Sequence, residues 1–176
     1  MNAQQISDLK ASIREIPDWP KEGILFYDVT TLLKQKECFE LTIDGLLEPY
    51  RNKKVDLVVG IEARGFIFAP TVAYALKAGF VPVRKPGKLP AAKYQAEYQL
   101  EYGTDCLEIH QDAIQAGQRV LIVDDLIATG GTARAVAEMV ERMGATVVGI
   151  AFVVELTALA GLDKLKKYDV HSLLKY

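Results

Sequence analysis

Two adjacent carboxylates, Asp124 and Asp125, follow the apolar run Val120-Leu121-Ile122-Val123 and precede Leu126-Ile127-Ala128-Thr129-Gly130-Gly131-Thr132, where a helical pattern opens. Ionised acids accept hydrogen bonds well, so such a pair suits the vicinal hydroxyls of a sugar. Gly130 and Gly131 let the backbone turn sharply and come close to an anion. Amides of the turn, Ala128 included, and of the first helical residues would then point at a phosphate, with the helix dipole behind them. Thr129 and Thr132 add hydroxyl donors. Acids for a sugar and a turn for a phosphate, in one stretch, are the chemistry of a phosphorylated sugar. The stretch lacks the Gly-Lys-Ser/Thr of a P-loop. An ordinary strand end and helix cap would account for Gly130-Gly131-Thr132 alone, but less well for the whole segment.

A second group of residues points to a more highly charged ligand. Gly60-Ile61-Glu62-Ala63-Arg64-Gly65-Phe66 links an apolar run to a helix-length segment, and Arg64 at such a junction can hold a phosphate bidentately. From Ala63 to Ala96 there is no Asp or Glu, yet Arg64, Lys77, Arg84, Lys85, Lys88 and Lys93 all lie there. A one-signed tract in a net-acidic chain predicts an anionic ligand; the alternative is a solvated basic face. Pro86 to Gly103 is rich in Pro, Gly and Lys, and a connection of that length in a compact domain is usually functional or disordered. It reads either as a lid that excludes water or as a hairpin whose Tyr and Leu side chains pack on the core.

These residues need elements to position them. Ile6, Leu9, Ile13 and Ile16 recur at helical spacing, which predicts a helix from about Ser7 that Pro17 and Pro20 end. Cys38 to Tyr50 reads as a helix stopped near Pro49. Val55 to Ile61 is a near-continuous apolar run, as in a strand buried on both faces, and Gly65 to Ala78 a helix closed by Gly79. Phe80–Val83 and Arg119–Asp124 read as strands, Thr132–Met143 as an amphipathic helix capped by Gly144, and Thr146–Val154 as the next strand. A short helix over Ala158–Lys167 and a strand over His171–Leu174 complete the chain. Strand and helix in alternation predict an α/β fold with a mostly parallel sheet between helices. In such sheets ligands sit beyond the carboxyl ends of the strands, which is where both groups of residues fall.

Composition bounds the rest. The 176 residues are 50% hydrophobic and 25% charged, enough apolar material for one core and too much for intrinsic disorder. With 21 basic and 23 acidic residues the net charge is -2, so nucleic acid and anionic membranes find no global attraction. Met1–Lys10 is polar, unlike a secretory signal, and the longest apolar stretch, Val147–Val154, is far short of the roughly 20 residues of a spanning helix. The expectation is a cytoplasmic protein. Cys38 and Cys106 read as reduced, buried small hydrophobes, and no Cys/His cluster suggests zinc.

The segment Val120–Ala133 resembles the phosphoribosyl-pyrophosphate motif of type I phosphoribosyltransferases, and most closely the form found in adenine phosphoribosyltransferases. Glu62–Phe66 resembles the pyrophosphate loop of that family, which carries a non-proline cis peptide, here mapped to Glu62-Ala63. The resemblance implies that Arg64, Arg84, Lys85 and Lys88 contact the pyrophosphate or phosphate, with Lys93 a weaker match. Leu100-Glu101-Tyr102-Gly103 is similar to the family's flexible-loop motif, which implies a catalytic role for Glu101 near the base and a shielding one for Tyr102. Leu25-Phe26-Tyr27-Asp28 and Val154-Glu155-Leu156-Thr157 resemble its base-binding segments. By that likeness Phe26 stacks on the purine, main chain at Leu25 and Tyr27 reads its edge, and Leu156 covers it. Many members carry Arg where this chain has Tyr27.

The fold implied is the type I phosphoribosyltransferase fold, one domain over 1–176, with residues 1–34 contributing a small base-binding hood and a flexible loop at about 86–104. The implied reaction is attack of adenine N9 on 5-phosphoribosyl 1-pyrophosphate, giving AMP and pyrophosphate. Mg²⁺ is held mainly by the substrate's pyrophosphate and no protein ligand is assigned; the implied assembly is a homodimer. Two alternatives stand beside it. One is a transferase for another purine such as xanthine. The other is a non-catalytic sensor of phosphoribosyl pyrophosphate, which would need a DNA-binding appendage; Lys10, Arg14, Lys21, Lys34 and Lys36 are scattered among acids and form no basic recognition helix.

Overall fold

A computed structural model describes residues 1–99 and 104–176. The chain divides into two compact units, Met1–Gly45 and Leu46–Tyr176.

The first unit opens with α1 (Ala3–Ser12). The helix starts ahead of the predicted Ser7 because Asn2 and Gln5 form a capping box. The Gln5 amide donates to Asn2 Oδ1 (2.9 Å) and the Asn2 amide to Gln5 Oε1 (2.8 Å), so two first-turn N–H groups are satisfied. Ile13 leaves the helix in an extended conformation, and β1 (Arg14–Ile16) pairs antiparallel with β2 (Phe26–Asp28). The helical spacing of Ile13 and Ile16 is therefore misleading. Arg14 is fixed in the ribbon instead: its amide donates to Thr31 Oγ1, and its Nη2 lies 2.5 Å from Asp28 Oδ2. Then come α2 (Thr30–Leu33) and α3 (Lys36–Leu47), which gives way to a 3-10 turn over Glu48–Tyr50 at Pro49, the predicted stop.

Among the described residues, the second unit holds β3 (Leu57–Ile61), α4 (Gly65–Leu76), β4 (Gly79–Val83), β5 (Lys93–Gln99), β6 (Thr104–His110), β7 (Arg119–Ile127), α5 (Gly131–Arg142), β8 (Thr146–Glu155) and β9 (Val170–Lys175). Five strands form an all-parallel sheet in the order β4-β3-β7-β8-β9, which is the predicted α/β architecture. Val120, Leu121, Ile122 and Val123 are wholly buried, so β7 is covered on both faces. Each such side chain contributes about 1.5–3 kcal/mol. Val136, Met139 and Val140 of α5 join the same core.

Three local expectations change. The helix α4 ends on Lys77, which takes the left-handed conformation (φ 56°), while Gly79 opens β4. Residues 93–99 and 104–110 form an antiparallel ribbon, β5 with β6, so the hairpin reading describes much of the tract taken as a loop at 86–104, and Tyr98 is buried. Ala158–Lys167 is not one helix but two 3-10 turns, Thr157–Leu159 and Gly161–Leu165, separated at Ala160. Cys38 and Cys106 are free but only half-buried. Burial pushes the Cys106 thiol above its ordinary pKa, with Glu97 and Glu108 adding to the effect.

Candidate active site

A cavity of about 400 Å³ opens at the carboxyl ends of β3 and β7. Its size is that of a small-molecule site. Arg64, Lys85, Asp124, Asp125, Ala128, Thr129, Gly130 and Thr132 line it, so residues up to 68 positions apart in sequence converge on it. The convergence follows from β3 and β7 being neighbours in register, Gly60 opposite Val123, so the turns after the two strands open side by side.

The acidic pair occupies the end of β7, where alternation sends the two side chains to opposite faces. Asp125 is only 5% exposed, and its Oδ2 lies 2.7 Å from Arg64 Nε but completes no hydrogen bond. Asp124 accepts the Asp125 amide on Oδ1 (2.9 Å). Burial, reinforced by the neighbouring Asp125 charge, raises the Asp124 carboxyl well above the ordinary 3.8. Asp125 is raised by burial too, with Arg64 opposing. Asp124 keeps its place because residue 65 has no side chain: a Cβ there would lie 2.7 Å from its Oδ1.

Three of the predicted pyrophosphate cations, Arg64, Arg84 and Lys85, meet an internal carboxylate. Arg84 Nε and Nη2 donate to Glu62 at 3.2 and 3.3 Å, and Arg84 Nη1 donates to the Lys88 carbonyl. The Lys85 amide donates to Glu62 Oε2 (3.0 Å); this bond, with the Arg84 guanidinium, holds the Glu62 carboxyl below its ordinary value. Lys85 Nζ pairs with Asp105 Oδ2. The Glu62-Ala63 peptide is cis, as the resemblance implies. Lys93 turns to Glu108, a carboxylate 1% exposed, at 3.0 Å, rather than to the cavity.

Arg84, Lys88, Gly131 and Leu156 are not among the lining residues. Gly131 opens α5, and the Leu156 amide donates to the Ile127 carbonyl (3.0 Å) beside the turn. Leu25, Phe26 and Tyr27 belong to the first unit, where the Phe26 ring meets Trp19 edge-on at 4.3 Å; burial and Glu15 raise the Tyr27 phenol. Glu101 and Tyr102 lie outside the described residues. Tyr98, Asp105 and Phe152 line the cavity without having been foreseen, and the first two meet through the Tyr98 hydroxyl donating to Asp105 Oδ2 at 3.1 Å. Tyr98 lies in the tract read as loop and Asp105 just beyond it, and the pairing of β5 with β6 sets Tyr98 opposite Asp105.

A parallel sheet whose central strand ends in an acidic pair and a glycine turn, opposite a second basic turn, defines the phosphoribosyl transferase domain. The model of that family matches residues 29–174, and the chain belongs to it. Across 169 residues it is 66% identical to the adenine phosphoribosyltransferase of Solibacter usitatus, covering 96% of this chain and 98% of that one. The crystal structure of adenine phosphoribosyltransferase from Rhodothermus marinus superposes with a TM-score of 0.95 at 52% identity, covering 99% of this chain and all of that one. The Saccharomyces cerevisiae enzyme, complexed with D-2,5-dideoxy-2,5-imino-altritol 1,6-bisphosphate and adenine, superposes at 0.92 with 45% identity over 98% of this chain and all of that one.

Proposed function

We infer that the protein transfers the 5-phosphoribosyl group of 5-phosphoribosyl 1-pyrophosphate to N9 of adenine, giving AMP and pyrophosphate in purine salvage. The observation that carries this reading is the convergence of Asp124, Asp125, the Ala128–Thr132 turn and Arg64 on one cavity, in a chain two-thirds identical to an adenine phosphoribosyltransferase. The xanthine and sensor alternatives have no relative of their own among the proteins compared above.

The bond from the anomeric carbon to pyrophosphate breaks as that to N9 forms, and positive charge gathers on the ribose ring. Catalysis is then positioning and electrostatics. Asp125 and Asp124 accept the ribose hydroxyls, and their charge favours the cationic sugar. Ala128, Thr129, Gly130, Gly131 and Thr132 hold the 5′-phosphate by amides and hydroxyls. Arg64, Arg84, Lys85 and Lys88 take the leaving pyrophosphate, exchanging an internal carboxylate for it where they have one. Phe26 stacks on the adenine, main chain at Leu25 and Tyr27 reads its edge, and Leu156 covers it. Glu101 acts beside the base and Tyr102 shields it.

Among the described residues no three His, Cys, Asp or Glu side chains converge on a point. A few carboxylates beside a polyphosphate pocket fit Mg²⁺, which keeps its waters and is held mainly by substrate phosphates. Bound with pyrophosphate, it neutralises the leaving group. The protein works in the cytoplasm as a homodimer, residues 1–34 contributing a base-binding hood to one phosphoribosyltransferase domain. No helix among the described residues is long and apolar enough to cross a membrane.

The decisive assay is AMP formation from adenine, phosphoribosyl pyrophosphate and Mg²⁺, repeated with guanine, hypoxanthine and xanthine. Product with adenine alone supports the reading; product only with another base, or with none, overturns it.

A further inference from the structure

We propose that Gly161 is a positioning residue for the phosphate turn: its bare Cα is the surface on which Ala128–Gly130 is moulded. The inference rests on the reading of that turn given above. Gly161 is buried at the start of the second 3-10 turn, 30 residues beyond Gly131 in sequence. A Cβ on Gly161 would stand 2.9 Å from Ile127 Cγ1 and 3.0 Å from the Gly130 amide nitrogen, and would overlap the Ala128 carbonyl oxygen. In the other direction, a Cβ on Gly130 would overlap the Gly161 carbonyl. The two glycines thus meet backbone to backbone, and no rotamer change can relieve an added carbon.

The glycine at 130 has a second reason, its left-handed conformation (φ 75°), whereas Gly161 takes no positive φ. Contact with the turn is what demands glycine at 161. The platform is itself anchored. Ala160, left-handed at φ 49°, donates to the Thr157 carbonyl (3.1 Å) and accepts from the Asp163 amide (3.0 Å). The Leu156 amide is bound to Ile127, the Thr157 amide to Tyr176, and Leu165 is 1% exposed in the core. The direction in which the turn aims its amides is therefore set by a segment far downstream, through a wall that cannot give.

The test compares wild type, Gly161→Ala and Ala160→Gly by calorimetric titration with ribose 5-phosphate and by steady-state kinetics with each substrate varied. Gly161→Ala is expected to weaken ribose 5-phosphate and raise KM for phosphoribosyl pyrophosphate about tenfold or more. KM for adenine stays within about twofold, a split that general loosening would not give. Ala160→Gly keeps the wall and stays at wild-type values. Wild-type affinity in Gly161→Ala, or both KM values rising alike, overturns the proposal. Should Gly161→Ala fail to fold, Leu165→Ala, which loosens the platform from its buried side, decides: the same selective weakening supports the proposal and unchanged binding overturns it. Absence of ribose 5-phosphate binding in the wild type would instead remove the phosphate reading of the turn, and this inference with it.

Discussion

Arg64 Nε lies 2.7 Å from Asp125 Oδ2, so a cation assigned to pyrophosphate and an acid assigned to ribose neutralise each other before any ligand arrives. Asp125 is buried while the Arg64 side chain is 35% exposed, so the pair is asymmetric. Removing the arginine strands a buried charge. Arg64→Ala is expected to destabilise the protein by about 1–3 kcal/mol, less than for a fully buried pair because water reaches the guanidinium. Adding Asp125→Asn should restore most of the loss. Urea midpoints for the two single variants and the double variant check this; a double variant no more stable than Arg64→Ala would contradict it.

Asp124 titrates above the ordinary carboxylate range, burial being the main cause and Asp125 the second. Its folded pKa exceeds its unfolded one, so the ionised group costs stability above that pKa, and the cost disappears as pH falls through it. Asp124→Asn should thus raise Tm at neutral pH while crippling turnover. In the wild type, kcat/KM for phosphoribosyl pyrophosphate should fall on the acid side at a pH above the ordinary carboxylate range. The residual activity of Asp125→Asn should show that limb at lower pH, because one of the two causes is gone. An acid limb that stays put would exclude Asp124 as its source.

Lys85 is paired with Asp105, so pyrophosphate must displace a carboxylate to reach it. Asp105→Asn removes the competitor. Product inhibition by pyrophosphate should tighten a few-fold in that variant, and Lys85→Ala should abolish the gain. Inhibition constants measured for the three proteins decide the point.

In the first unit, Asp28 is held at about 2, chiefly by hydrogen bonds from Thr30 and then from Arg14. A depressed pKa means stability that is present above the ordinary 3.8 and is lost as pH falls toward 2. Asp28→Asn should lower Tm near neutrality and flatten its dependence on pH between those values. Calorimetric scans across that range read both effects.

The Phe26 ring meets the Trp19 ring edge-on. With the base stacked on Phe26, Phe26→Ala should raise KM for adenine by about ten- to a hundredfold, as stacking is worth about 1–3 kcal/mol per base. KM for phosphoribosyl pyrophosphate should hardly move. Equal rises for both substrates would place Phe26 in the fold rather than the base site.

The central sheet was readable because β3, β7 and β8 are buried on both faces, and burial writes itself as continuous apolar runs. The phosphate turn was readable because only glycine and hydroxyl residues do that work between a strand and a helix. The edges were less so. Ile13 and Ile16 sit at helical spacing yet lie at and within an extended segment, since a capping box moved α1 toward the N-terminus and a ribbon captured Arg14. The pairing of β5 with β6 was obscured by the Pro, Gly and Lys that precede it, and with it went Tyr98 and Asp105.

Residue type and order alone thus determined which groups can accept a sugar hydroxyl, cradle a phosphate or meet an anion, since those capacities belong to single side chains and short turns. Tertiary structure decided which of them face one another. It turned Lys93 toward Glu108 and Lys85 toward Asp105, and brought Gly161 against Gly130. Pairings of this kind depend on strand register and on backbone approach across dozens of residues, and neither leaves a local mark in the chain.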